Sequence, residues 1–134
     1  MATNYVLRLK KNDEIISSIM DFCQEKKITS AWFTGLGAAK NATLALYDLE
    51  TKKFSKKAIK GPLEIANITG NIATKDNEVL IHCHITLSDK NMSAYAGHLE
   101  RADVAATVEI IFRVLDIQLT RKHDLNIGLN LLEL

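Results

Sequence analysis

What is scarce in this chain narrows its class first. No apolar stretch approaches the roughly eighteen residues that a membrane-spanning helix needs. The opening MATNYVLRLKKNDEI has no uninterrupted apolar run behind a basic start, so no secretory signal is read and a cytoplasmic protein with no membrane partner is expected. Cysteine is limited to Cys23 and Cys83, each on the apolar face of a periodic segment; both read as buried thiols rather than a disulfide or metal pair. A basic excess is missing too. Seventeen Lys and Arg stand against sixteen Asp and Glu, a net charge of +1, which counts against a domain whose main task is to coat nucleic acid or an acidic membrane. Repeats, linkers and low-complexity segments are absent, and 134 residues suit one domain, residues 1–134, with its own core.

Familiar catalytic signatures are also lacking. Gly35-Leu36-Gly37 invites a dinucleotide-loop reading, but Lys40 stands where the third glycine belongs and no long helix follows, so a strand-ending turn is expected. Ser17, Ser18 and Ser30 have no nucleophile context, and no pair of acids has convincing spacing. The catalytic residues, if there are any, stay unassigned from sequence.

What is there is histidine. Read with period two, Val79, Ile81, Cys83, Ile85 and Leu87 form an apolar stripe on one face of an extended segment, with Leu80, His82, His84 and Thr86 on the other. After the polar turn Ser88-Asp89-Lys90-Asn91, a short run ends in Gly97-His98-Leu99. If the chain returns alongside the first strand, His98 joins His82 and His84. His-x-His followed by a distant His is the pattern of a three-imidazole metal site, which suits zinc and leaves a fourth position open. The alternative is three rings that face solvent or serve as hydrogen-bonded structural groups. Glu64, Glu100 and Glu109 are candidates to approach the histidines as a base or as supporting partners. His123, in the polar run Arg121-Lys122-His123-Asp124, reads as a surface residue.

Around this stretch, Tyr5–Leu9 reads as a first strand. Asn12-Asp13-Glu14 offers an N-cap and acidic residues to a helix of about four turns whose stripe is Ile15, Ile19, Phe22 and Cys23. Ala31–Leu36, Ala42–Leu49, Phe54–Ile59, Leu63–Ala73 and Val104–Leu115 read as strands, Gly61-Pro62 as punctuation, and Gly70 as a bulge or a close approach of backbones. Lys52, Lys53, Lys56, Lys57 and Lys60 make an exposed basic edge that resists aggregation or meets phosphate. The apolar ending LNLLEL is expected to pad the core or a subunit contact. The fold class is thus α+β: a mostly antiparallel β-sheet covered by one main amphipathic helix.

With these residues in view, the chain resembles the PPC (plants and prokaryotes conserved) domain along nearly its whole length. YVLRLKKNDEIISSIMDFCQEKKITSAWFTGLGAAKNATLALYD is similar to the family's opening strand, helix and Gly-x-Gly-Ala turn, and GPLEIANITGNIA to its Glu-Ile and Ser/Thr-Gly segment. HCHITLSDKNMSAYAGHLERADVAATVEIIF is similar to its His-x-His-x-Ser/Thr-Leu, Gly-Gly-His-Leu and Ala-Ala-Thr-x-Glu series. The resemblance implies an α+β fold, a homotrimer and, as in prokaryotic members, a zinc ion on His82, His84 and His98. Ala96 departs from the pair of glycines before the histidine. Leu63 and Pro62 depart from the Phe and Arg of the plant segment that recruits partner proteins, and the Arg-Gly-Arg-Pro AT-hook that reads the minor groove is missing. Two functions follow as expectations: a stand-alone trimeric PPC protein whose zinc site has an unnamed substrate, or a regulator or scaffold associated with DNA or a protein partner, its metal structural or sensory.

Overall fold

Alternating apolar and polar residues build nearly everything in this molecule. The computed structural model describes residues 3–134, in the order β1 (Asn4–Lys10), α1 (Ile15–Lys26), β2 (Ala31–Asp48), β3 (Lys53–Lys75), β4 (Glu78–Ser88), β5 (Ala94–Val114), β6 (Thr120–Asp124) and β7 (Leu129–Glu133). The strands form one sheet in the order β1-β5-β2-β3-β6-β7, with β4 paired to both β3 and β5. Every pairing is antiparallel except the contact of β6 with β3 at Thr74 and Thr120. The expected combination of a mostly antiparallel sheet with one helix is observed.

Because β2 pairs with β3 and β5, and β4 pairs with the same two, the four strands close into a cycle. Closure requires long, bent strands, and this corrects the sequence reading in three places. Ala31–Leu36 and Ala42–Leu49 are one strand, β2, Phe54–Ile59 and Leu63–Ala73 are one strand, β3, and the run ending in Gly97-His98-Leu99 continues through Val104 as β5. The glycines and the proline that suggested breaks instead mark register shifts, at Gly35/Gly37 and at Ala39/Asn41, where β3 carries Gly61 and Pro62 as extra residues. A bulge accepts a proline because no ladder hydrogen bond is asked of it there.

The helix starts where Glu14 takes an extended conformation and its carboxylate accepts from the Ile16 and Ser17 backbone N–H groups at 2.9 Å. That satisfies two of the free donors at the helix start. Its other bond, from the Ala102 N–H at 3.2 Å, ties the cap to β5. The helix ends at Lys27 in the left-handed region. It buries Ile15, Ile19 and Cys23 in the core cluster, and the Phe22 ring leans on Phe112 of β5, with centroids 5.3 Å apart. Phe33, Phe112, Ile68, Ile85 and Ile110 fill the same cluster from the strands. Cys23 and Cys83 are buried and unpaired, their thiols pushed up by burial to about 11 and about 12. The chain's ending does not pad the core. It folds as the β6–β7 hairpin, where Leu131 and Leu134 stay exposed, because this hairpin joins the sheet only by the edge of β6.

Gly70 is the tightest point near the histidines. It pairs with Cys83 of β4, and a Cβ built there would run into the His82 carbonyl oxygen and the edge of the Phe33 ring. The sequence expectation of a close approach is met, and the reason is that an aromatic ring fills the space a side chain would take. Gly70→Ala is expected to lose about 1–3 kcal/mol of stability through overpacking. Urea unfolding measures it, and an unchanged midpoint would contradict the packing described here.

Candidate metal centre

The pleat of β4 turns Cys83 and Ile85 into the core and leaves His82 and His84 on the opposite face. Antiparallel return of β5 sets His98 directly across from His84. The structure therefore brings His82, His84 and His98 together. One ring nitrogen from each lies within 4.8 Å of the others, and the ring centroids are 5.1, 5.7 and 5.7 Å apart. Bonds of 2.0–2.1 Å to a tetrahedral ion would set such nitrogens about 3.3 Å apart, a difference that small side-chain rotations close. Among the described residues, none of the three rings is hydrogen-bonded to another protein group, whereas the ring of His123, exposed as expected, pairs with Asn130 Oδ1 at 3.2 Å. Three neutral nitrogen donors, converging and otherwise unengaged, fit a zinc-type ion with a position left open.

The surroundings are unequal on the two sides. Beside His98, the Phe54 ring stacks at 5.3 Å, backed by Tyr47 at 5.0 Å. Lys56 and Glu100 pair there at 3.1 Å, and an open cleft of about 360 Å³ runs past Ala45 and Ala96. Beside His82, its register partner Asn71 accepts a hydrogen bond from Arg121 at 2.7 Å. Of the three candidate acids, Glu100 alone comes near the cluster, and it is engaged with Lys56. Glu64 lies opposite Ser88, four positions along β4 from His84, or roughly 13 Å at strand rise. Glu109 faces Arg8 and Leu36, far along β5 from His98. Sequence reading missed Arg121, Asn71 and Phe54, since strand register alone brings them here.

The fold is shared with known proteins. Residues 1–116 match the Plants and Prokaryotes Conserved domain. The chain belongs to the PPC family. A metal-containing protein from Archaeoglobus fulgidus is 32% identical with a TM-score of 0.89, over 98% of this chain and 93% of its own. A candidate DNA-binding protein from Bacteroides thetaiotaomicron is 30% identical with a TM-score of 0.94, over 99% of this chain and 96% of its own. A PPC protein from Pyrococcus horikoshii is 26% identical with a TM-score of 0.90, over 99% of this chain and 94% of its own. No curated protein matches the chain.

Within this PPC chain, the glycine kept before the third histidine, Gly97, lies against the Ala45 carbonyl, which a Cβ would meet at 3.1 Å. Ala96, where the family pattern has another glycine, points into the open cleft and needs no such approach. Two of the three imidazoles, those of His82 and His98, resist protonation. Loss of surrounding water is the first cause pushing His82 down to about 4, followed by the positive charge of Arg121 and by the repulsion that His84 and His98 exert when protonated. Burial also pushes His98 down, with His84 and Lys56 in the same direction and Glu100 opposing. Imidazoles that stay unprotonated below neutrality remain competent ligands there.

Unfolding frees His82 to take up a proton at its ordinary value near 6.5, while the folded chain resists until about 4. The unfolded state then binds more protons in that window, so the metal-free protein should lose stability as pH falls from 6.5 to 4. His82→Gln should flatten that part of the profile. Unfolding of chelator-treated protein across this range tests it, and identical profiles for the two would refute it.

Proposed function

We propose that this PPC protein carries a zinc ion on His82, His84 and His98 and works as a metal-dependent hydrolase or lyase on a small molecule. The observation that carries this reading is the convergence of three otherwise unengaged imidazole nitrogens within 4.8 Å of one another. Zinc held by three neutral ligands retains its charge, acidifies bound water and polarises a carbonyl or phosphoryl oxygen. The protein's own contributions are distinct. The β4 pleat aims two rings the same way, β5 closes the third against them, and Phe54 restrains His98 by stacking. Glu100, beside the cluster, is the acid placed to exchange a proton if it leaves Lys56; Glu64 and Glu109 are too remote for that role.

The same reading makes the protein a cytoplasmic homotrimer. Val6, Trp32, Leu36 and Ile111 stand 71%, 50%, 55% and 55% exposed on one face of β1, β2 and β5, an apolar surface that a second copy would cover. Two buried free thiols suit a reducing compartment, and no helix is long and apolar enough to cross a membrane. The helix, through Ile15, Ile19 and Cys23, serves as the cover of the core face.

A second reading, association with DNA or a protein partner, has one feature of its own. Lys52, Lys53, Lys57 and Lys60 are exposed along the first half of β3 and the turn before it, without carboxylate partners among the described residues. The candidate DNA-binding neighbour gives that edge its relevance. Binding through it would weaken steeply with salt.

Untagged protein should contain about one zinc per chain by plasma mass spectrometry, and His98→Ala should lose it at neutral pH. Full occupancy in that variant would overturn the three-ligand site. Light scattering should give three times the chain mass, reduced by Ile111→Glu; a wild-type monomer would rule out the trimer. Retention on a DNA column that fades with salt would move the assignment to the second reading.

A further inference from the structure

The C-terminal hairpin lies beyond the stretch that matches the family, which ends at residue 116, yet it reaches the histidine cluster from two sides. At its turn, the Ile127 carbonyl accepts from the Tyr47 hydroxyl at 2.6 Å, and Tyr47 backs the Phe54 ring stacked on His98. At its start, Arg121 of β6 extends over β3. Nη2 donates to Asn71 Oδ1 at 2.7 Å and Nη1 to the Asn130 carbonyl at 2.8 Å. Asn71 is the register partner of His82, and side chains of paired residues share a face. The guanidinium is therefore beside the cluster on the face where the imidazoles converge.

Arg121 is also incompletely satisfied. Its Nε is buried with no hydrogen-bond acceptor, and among the described residues no carboxylate pairs with its charge. Burial draws its pKa down, the mark of a cation held with little water around it. Lys56, on the other side of the cluster, differs because Glu100 already neutralises it. Nη1 and Nη2 each make one bond and keep a second N–H; a half-buried guanidinium with these spare donors and no counter-charge is a receptor for a planar anion, and the fork geometry of arginine favours a carboxylate over a single-point acceptor.

We infer that the ligand of this site is a small carboxylic acid, its carboxylate held by Arg121 and the group on the adjoining carbon facing the three imidazoles. The inference rests on the metal reading and gives it a substrate class. Hairpin, arginine and asparagine then have one shared purpose: Asn71 orients the guanidinium, and the Tyr47–Ile127 bond anchors the other end of the hairpin. An uncharged molecule of the same size would lack the interaction that holds it.

The test uses cobalt(II)-loaded protein, whose visible spectrum reports both the metal and any change around it. Glycolate is the probe, with glycolamide as its uncharged analogue and inorganic phosphate as the competing anion. Wild type should bind glycolate and not glycolamide. Arg121→Gln should keep one cobalt per chain and bind glycolate at least about tenfold more weakly, the loss expected for one charge-assisted interaction. Arg121→Lys should recover part of it. Equal glycolate affinity in wild type and Arg121→Gln would overturn the inference, as would phosphate bound in preference to glycolate. Loss of cobalt from both Arg121 variants would make the residue structural and overturn it too. A wild-type chain that takes up no cobalt would overturn the metal reading itself, and that result needs no Arg121 variant.

Discussion

The constraint on which the rest depends is the double pairing of β4. One edge runs along β3 and the other along the first residues of β5, and only the second of these sets His98 across from His84. Closing four strands into a cycle forces β2, β3 and β5 to be long and bent, and the register shifts fall at Gly35/Gly37, Gly37/Ala39, Ala39/Asn41 and Ile65/Asn67, and at Thr43/Leu44, where β5 carries Glu100 as an extra residue. The same closure explains why Gly70 is glycine, since the Phe33 ring occupies the space beside it and the His82 carbonyl lies against it. Core packing and site geometry are therefore two consequences of one arrangement. A change that loosens β4 from β5 would separate the histidines before it exposed much of the core.

That arrangement was legible in the sequence to an uneven degree. The period-two pattern from Val79 to Leu87 is strong enough to assign His82 and His84 to one face and Cys83 to the other, because pleating leaves no third choice. His98 needed the further assumption of a hairpin return, which the polar turn at Ser88–Asn91 supports. The continuity of β2 and β3 was hidden, since glycine and proline look the same whether they end a strand or bulge it. For the tail, the core half of the expectation failed for a different reason. Its leucines are apolar enough to suggest the core, yet Arg121, His123 and Asn130 give the hairpin hydrogen bonds that let it sit at the sheet edge. Arg121 itself carried no local signal, because its neighbour Asn71 is fifty positions away in the chain.

The two faces of the sheet divide the work of the chain. One holds Phe33, Phe112, Ile68 and Ile85 in the core cluster that the helix residues Ile15, Ile19 and Cys23 also join. The other carries the histidines at one end and the exposed Val6, Trp32, Leu36 and Ile111 at the other. Thr34 and Thr69, which pair across β2 and β3, connect the two in a single row from Ile111 to His84. The histidine cluster and this exposed apolar patch thus lie on one continuous face of the sheet.

The central claim is that three imidazoles hold the ion and leave it a further position. X-ray absorption at the zinc edge of the purified, untagged protein tests this most directly, since it reports ligand type and distance around the metal alone. The account predicts three nitrogen neighbours at about 2.0–2.1 Å with the outer-shell pattern of imidazole, plus one light atom completing a tetrahedron. A sulfur neighbour near 2.3 Å, or fewer than three imidazoles, would contradict it, because Cys83 points into the core and cannot join the cluster without dismantling β4.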